Sequence, residues 1–195
     1  MHKIILASQS PRRRELLTQV GIEHEVMPSK VKEKITKGAP MEIVIELSRQ
    51  KALDVGENAE YDISDGCVVI GADTIVVQDG IIMGKPKDRD GAICMLESLQ
   101  GKTHSVYTGV TLYYKNGQEP VRVSFARETK VTFYSMSKME IERYVDSKEP
   151  MDKAGAYGIQ GLSAAFIEKI EGDYNNVVGL PISAVYQELK ERGWL

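Results

Sequence analysis

Cysteine is nearly absent, with only Cys67 and Cys94 in 195 residues. That excludes a disulfide-stapled scaffold and a zinc site of the Cys₄ or Cys₂His₂ kind. Both thiols are expected to be free and buried, filling core space. Histidine is equally scarce, and none of the three has a Cys or His neighbour at metal-ligand spacing. Any metal is therefore expected to be a hard divalent ion held by carboxylates and phosphate. Long apolar runs are missing as well, which argues against a membrane span. The opening stretch MHKIILASQS has too short an apolar run for a signal peptide, so a cytoplasmic protein is the expectation. Nor does one sign of charge dominate: 25 basic residues face 28 acidic ones, a net charge of -3. Such a balance gives no general case for nucleic-acid binding, although it permits a local basic hollow. What is present is enough for a core, since 42% of the residues are hydrophobic. The length suits one substantial domain or two closely packed lobes.

The order of elements reads as mixed α/β. KIILAS is a short buried strand that feeds a helix, with Ser10 as N-cap, Pro11 at the first helical position and Gly21 as the stop. HEVMPS is a second strand ended by Pro28. A lysine-rich stretch from Ser29 to Lys37 reads as a mobile rim or lid. A helix from about Pro40 to Val55 turns Ile43, Val44 and Leu47 inward. CVVIGADTIVV is the strongest strand signal, and Gly71-Ala72-Asp73-Thr74 is expected to break it. Asp79-Gly80 marks a hairpin turn. Asp88 caps a helix that ends near Leu99. Two long strands follow, THSVYTGVTLYY and VRVSFARETKVTFY, around a turn at Asn116-Gly117. Ser137 and Glu140 form a capping box, with Met136 and Ile141 as its hydrophobic staple, and open a helix to about Val145. DKAGAYGIQG is too glycine-rich to be regular, AAFIEKIEG returns to a strand pattern, and Pro181 starts a last helix on Ile182, Val185 and Leu189.

Several polar groups sit where chemistry is plausible. Arg12, Arg13 and Arg14 fill the first turn of the first helix, the positive end of its dipole, where cations are unfavourable. An anion bound there turns that conflict into a fit. Asp73 stands where the central strand is expected to emerge, a place for a metal- or water-holding carboxylate; an Asx turn is the bland alternative. Lys85 in GKP either points at phosphate or is an exposed turn lysine, and no Walker A spacing surrounds it. Lys51 either reaches a ligand or snorkels from the helix boundary. Gln160 both donates and accepts, which suits the imide edge of a pyrimidine base. Asp152-Lys153 reads equally as a surface pair of little energetic weight. His104 reads as a structural residue.

Taken together, LASQSPRRRELL, GADTIVV, GKP, THSVYTGV, EPMDKAGAYGIQG and GDYNNVVGLP resemble the Maf family of nucleoside triphosphate pyrophosphatases over nearly the full length. The resemblance implies one domain over residues 1–195, built as a mixed, strongly curved sheet flanked by helices, with two closely associated lobes around a nucleotide-binding cleft. It implies hydrolysis of a nucleoside triphosphate to the monophosphate and pyrophosphate. The double arginine after Ser-Pro, the Asp-Thr pair and Gly-Ile-Gln-Gly look like the branch acting on dTTP and UTP, with modified pyrimidine nucleotides as a related substrate class. Carried over residue by residue, Asp73 becomes the proton acceptor and Arg12, Thr74 and Gln160 the specificity positions. Ser8, Arg13, Lys51 and Lys85 become phosphate contacts. Mg²⁺ or Mn²⁺ is the implied cofactor, and Asp73 and Glu33 are its candidate ligands. Here the chain departs from many relatives, which carry paired acids where this one reads VKEK, with Lys32 before Glu33. A homodimer is a further family expectation, with neither nucleic acid nor membrane as partner. The alternative function is a nucleotide-binding regulator of cell division or septum formation.

Overall fold

A computed structural model describes residues 2–117 and 119–195. Among these residues, seven strands form one mixed sheet flanked by helices. The strands are β1 (Lys3–Leu6), β2 (Glu25–Val26), β3 (Cys67–Gln78), β4 (Ile81–Met83), β5 (Thr103–Tyr114), β6 (Val121–Phe133) and β7 (Ile167–Glu171). Their order is β2-β1-β3-β5-β6-β7, and β4 pairs with β3. β1 runs parallel to both β2 and β3, while β4 and β7 lie antiparallel to β3 and β6. By its contacts the chain divides into two compact units. The first comprises Met1–Asp73, Thr108–Arg127 and Gly179–Leu195; the second comprises Thr74–Tyr107 and Glu128–Val178.

In the first unit, α1 (Pro11–Gln19), α2 (Pro40–Glu57) and α6 (Ile182–Glu191) accompany β1, β2 and the first half of β3. Helix α2 buries Ile43, Val44, Leu47, Ala52 and Val55, so its apolar spacing becomes a core face. Ile5, Ala7, Ala52, Val55, Ile63, Cys67, Val69 and Tyr113 form one apolar cluster. Burying a side chain of the Val, Leu or Ile type contributes about 1.5–3 kcal/mol. Helix α6 buries Ile182, Val185 and Leu189, the three positions expected from its period.

β3 corrects the sequence reading. It runs unbroken from Cys67 to Gln78, so Asp73 lies inside the strand and makes no Asx turn. Gly71 serves close approach instead of interruption. A Cβ there would lie 2.7 Å from the backbone nitrogen of Ala52, and one at Gly109 on β5 would lie 2.7 Å from that of Ile45. Two strands thus accept the backbone of α2 at glycines, where any side chain would push the helix away.

The second unit holds the end of β3, the β4 hairpin, α3 (Arg89–Leu99), α4 (Lys138–Asp146), β7 and the short helix α5 (Tyr174–Val178), which was not expected. Asp79 and Gly80 both have positive φ, 50° and 78°, as a tight hairpin turn requires. Asp88 accepts from the N–H of Gly91 at 2.8 Å and caps α3. The capping box of α4 is present: Ser137 N–H donates to Glu140 at 2.8 Å, and Glu140 N–H donates to the Ser137 hydroxyl at 3.3 Å. Met136 and Ile141 enter the same core as Leu96, Phe133, Tyr144 and Tyr157. AAFIEKIEG is only partly strand, because a 3₁₀ segment at Leu162–Phe166 precedes β7. The turn expected at Asn116-Gly117 leads into residue 118, which lies outside the described residues. Cys67 is buried as expected, but Cys94 is exposed, since it falls on the outward side of α3. Among the described residues no helix is long and apolar enough to cross a membrane.

Candidate active site

The chain leaves β1 through Ala7 and Ser8, both buried, and enters α1 with Pro11 in its first turn. Ser10 holds the expected N-cap position in extended conformation, but among the described residues its hydroxyl makes no capping bond. The Ser8 hydroxyl is used in its place. It accepts from the backbone N–H of Ser10 at 3.2 Å and from Arg13 Nη1 at 3.0 Å. Arg13 Nε donates to the carbonyl oxygen of Gly179 at 2.8 Å. The planar fork of the guanidinium is therefore held from two sides. Burial depresses the pKa of Arg13; Asp73 opposes that effect, Arg12 adds to it, and Glu33 opposes it. An arginine so placed stays charged, and the two carboxylates offset part of the cost of burying it.

Asp73 is 9% exposed. Lys51 reaches it from α2, with Nζ 2.5 Å from Asp73 Oδ1 and 2.9 Å from Glu33 Oε1. Lys51 is thus no snorkelling boundary residue; its ammonium is bracketed by two carboxylates. A carboxylate as buried as Asp73 requires such a partner. Among Arg12, Arg13, Lys51, Glu33 and Asp73, cations outnumber carboxylates by one, a balance that an anionic ligand can restore.

The Glu33–Asp73 pair also bears on a divalent metal. Two carboxylates already converge on one cation, the Lys51 ammonium, so their donor chemistry suits a hard ion. Among the described residues, no group of three or more His, Cys, Asp or Glu side chains forms a metal-holding cluster. The pair therefore fits an ion that keeps water and substrate oxygens in its shell, as Mg²⁺ does, and does not fit one that needs an all-protein cage.

The remaining candidates belong to the second unit. Thr74 follows Asp73 on β3 and is half-buried. Lys85 is exposed between Gly84 and the buried Pro86. The carbonyl of Gly84 accepts from the N–H of Gly155 at 3.1 Å, which joins the GKP stretch to the glycine-rich one. Gln160 is exposed on that irregular segment, which is anchored at several points. The Glu149 carboxylate accepts from Tyr144 Oη and from the N–H of Leu162, both at 3.1 Å. Ser163 Oγ donates to the carbonyl of Gly158. Lys153 Nζ lies 2.6 Å from Asp152 Oδ1 and 2.5 Å from the Glu149 carbonyl. Its side chain is only 14% exposed, so Asp152-Lys153 is more than a loose surface pair. His104 is structural as expected, buried with Nε2 2.7 Å from Tyr157 Oη.

Gly179 had no role of its own in the sequence reading, and Glu149 entered it only as one of the polar groups of EPMDKAGAYGIQG, without a partner. Gly179 acts through its carbonyl, and the only local signal is the GLP that follows Val178. Glu149 braces the turn after Gln160, and its place eleven residues before that glutamine is no pattern a periodicity search would find.

A sequence model of the family described as "Maf-like protein" matches residues 3–192 of this chain. Proteins named dTTP/UTP pyrophosphatase resemble it over nearly its full length. The one from Agathobacter rectalis is 50% identical across 99% of this chain and 98% of its own. The one from Carboxydothermus hydrogenoformans is 50% identical across 98% of this chain and 100% of its own. The one from Bacillus pumilus is 47% identical across 99% of this chain and 98% of its own.

Proposed function

The chain belongs to the Maf family, and from that premise we propose that it hydrolyses dTTP and UTP to the nucleoside monophosphate and pyrophosphate. One observation carries the reading: Glu33 and Asp73 bracket Lys51 in the same unit that pins Arg13 between Ser8 and Gly179. This is a carboxylate with a cationic surround, the arrangement that hydrolysis of a polyphosphate needs.

In the reaction, water attacks the α-phosphorus, and the bond from that phosphorus to the oxygen bridging to the β-phosphorus breaks. The electron pair leaves with pyrophosphate. Asp73 orients the attacking water and accepts its proton. Lys51, already on an oxygen of Asp73, keeps that carboxylate fixed and adds positive charge beside the phosphates. Arg12 and Arg13 add charge from α1, and the Ser8 hydroxyl sets the pose of Arg13. Glu33 and Asp73 would hold Mg²⁺ or Mn²⁺, which when bound offsets negative charge on the phosphate oxygens. Lys85 serves phosphate; Thr74 and Gln160, with Arg12, select the pyrimidine base, roles carried by the family resemblance. A curved sheet, a nucleotide cleft, a single domain over residues 1–195, a homodimer and a cytoplasmic location complete the proposal.

A nucleotide panel tests it. Purified protein with Mg²⁺ should convert dTTP and UTP to monophosphate and pyrophosphate in equal amounts, faster than dATP or GTP, and chelator should stop the reaction. Asp73→Asn should still bind nucleotide but turn it over at least about 100-fold more slowly, the scale of a lost general base. Nucleotide binding without turnover by the parent protein would favour the regulatory alternative, and full activity in Asp73→Asn would remove Asp73 from its role.

A further inference from the structure

Between β2 and α2 the chain has no regular structure from residue 27 to 38, yet it is tied down. Asp54 Oδ2 accepts from Ser29 Oγ at 2.8 Å and from the N–H of Lys30 at 2.9 Å. Gln50 meets Lys34 at two points: its Oε1 accepts from the backbone N–H at 2.9 Å, and its Nε2 donates to the carbonyl at 2.6 Å. Glu46 accepts from the N–H of Thr36 at 2.9 Å and from the Thr36 hydroxyl at 2.5 Å. Residues 46, 50 and 54 lie four apart and share one face of α2. Their partners rise in number as the helix positions fall, so residues 29–36 run back along the helix as a strap.

The strap places Glu33. Consecutive helix residues grip consecutive strap residues: Gln50 holds the backbone of Lys34, and Lys51 holds the carboxylate of Glu33 at 2.9 Å. The Glu33 side chain is 47% exposed, so burial does little to set its position. An amide that pairs with both the N–H and the C=O of one residue fixes the peptide groups on both sides of it, as a neighbouring strand would.

We propose that Gln50 is a positioning residue for the reaction, supported by Glu46 and Asp54. By fixing Lys34 it keeps the Glu33 carboxylate on the Lys51 ammonium, beside Asp73. This rests on the role given to Glu33 above. A displacement of about 1 Å in a reacting constellation can cost on the order of 100-fold in rate, so losing one of three anchors should lower kcat by about tenfold.

A mutant cycle tests it, using the full chain as wild type, Gln50→Ala, Glu33→Ala and the double variant. Hydrolysis of dTTP and thermal midpoints are measured for all four, with limited trypsin cleavage mapped by mass spectrometry. Gln50→Ala should lower kcat about tenfold with little change in KM or midpoint. It should be cut faster after Lys30, Lys32, Lys34 or Lys37 than the parent. The double variant should be no slower than Glu33→Ala alone, since a strap that acts only through Glu33 has nothing left to place. Wild-type kcat in Gln50→Ala, unchanged cleavage, or losses that multiply in the double variant would each overturn the proposal. A fully active Glu33→Ala would instead remove the role of Glu33, and the proposal with it. Should Gln50→Ala fold poorly, Glu46→Ala loosens the next anchor and is held to the same pattern.

Discussion

A lysine at the edge of a buried helical face ordinarily lays its stem over the core and keeps its ammonium in water. Lys51 departs from this because the carboxylate of Asp73, inside a central strand and 9% exposed, draws the ammonium onto it. His104 in the second unit shows the same economy of solvent. It is 3% exposed, its Nε2 pairs with Tyr157 Oη at 2.7 Å, and its Nδ1 has no hydrogen-bond partner among the described residues. Burial holds its pKa down to about 4 from an ordinary 6.5. The unfolded chain therefore takes up this proton near pH 6.5 and the folded chain near 4. Stability present above 6.5 is lost as the pH falls through that interval. At pH 5 the loss amounts to about 2 kcal/mol. Urea unfolding at pH 7.5 and 5.0 checks this. Relative to wild type, His104→Gln should lose about 2 kcal/mol less between the two values, and equal losses would contradict a neutral buried imidazole.

At the scale of elements, the features settled within a few residues were legible. The Asp88 cap, the Ser137–Glu140 box and the Asp79-Gly80 turn each depend on side chains at most three positions from the backbone they serve. β3 was misread because its decisive partner is remote in sequence. Gly71 looks like a break in a strand until Ala52 of α2 is placed against it. The strap was legible only as a polar stretch, since the anchors at 46, 50 and 54 gain meaning from a register that local periodicity does not carry. Cys94 was placed inside for a similar reason: α3 turns Ala92, Leu96 and Leu99 to the core and leaves Cys94 outside. The packing account predicts that Gly71→Ala destabilises the fold by about 1–3 kcal/mol, as other overpacked sites do. Calorimetry should show a midpoint several degrees lower, and an unchanged midpoint would mean that α2 does not press on β3.

For the whole molecule, composition ruled out disulfide and zinc scaffolds, and charge balance argued against general nucleic-acid binding. The motifs pointed to a family that the comparisons then established. Of the candidate groups, Ser8 with Arg13 and Lys51 with Glu33 and Asp73 are joined by direct contacts. The contacts of Lys51 were illegible beforehand because they link residues 18 and 22 positions apart that only the fold brings together, whereas Ser8 and Arg13 are five apart. The central claim is that the Asp73 site directs water to the α-phosphorus. Hydrolysis of dTTP in ¹⁸O-labelled water, with both products analysed by mass spectrometry, tests it most directly. The account predicts one labelled oxygen in the thymidine monophosphate and none in the pyrophosphate; label in the pyrophosphate, or release of orthophosphate in its place, would contradict it.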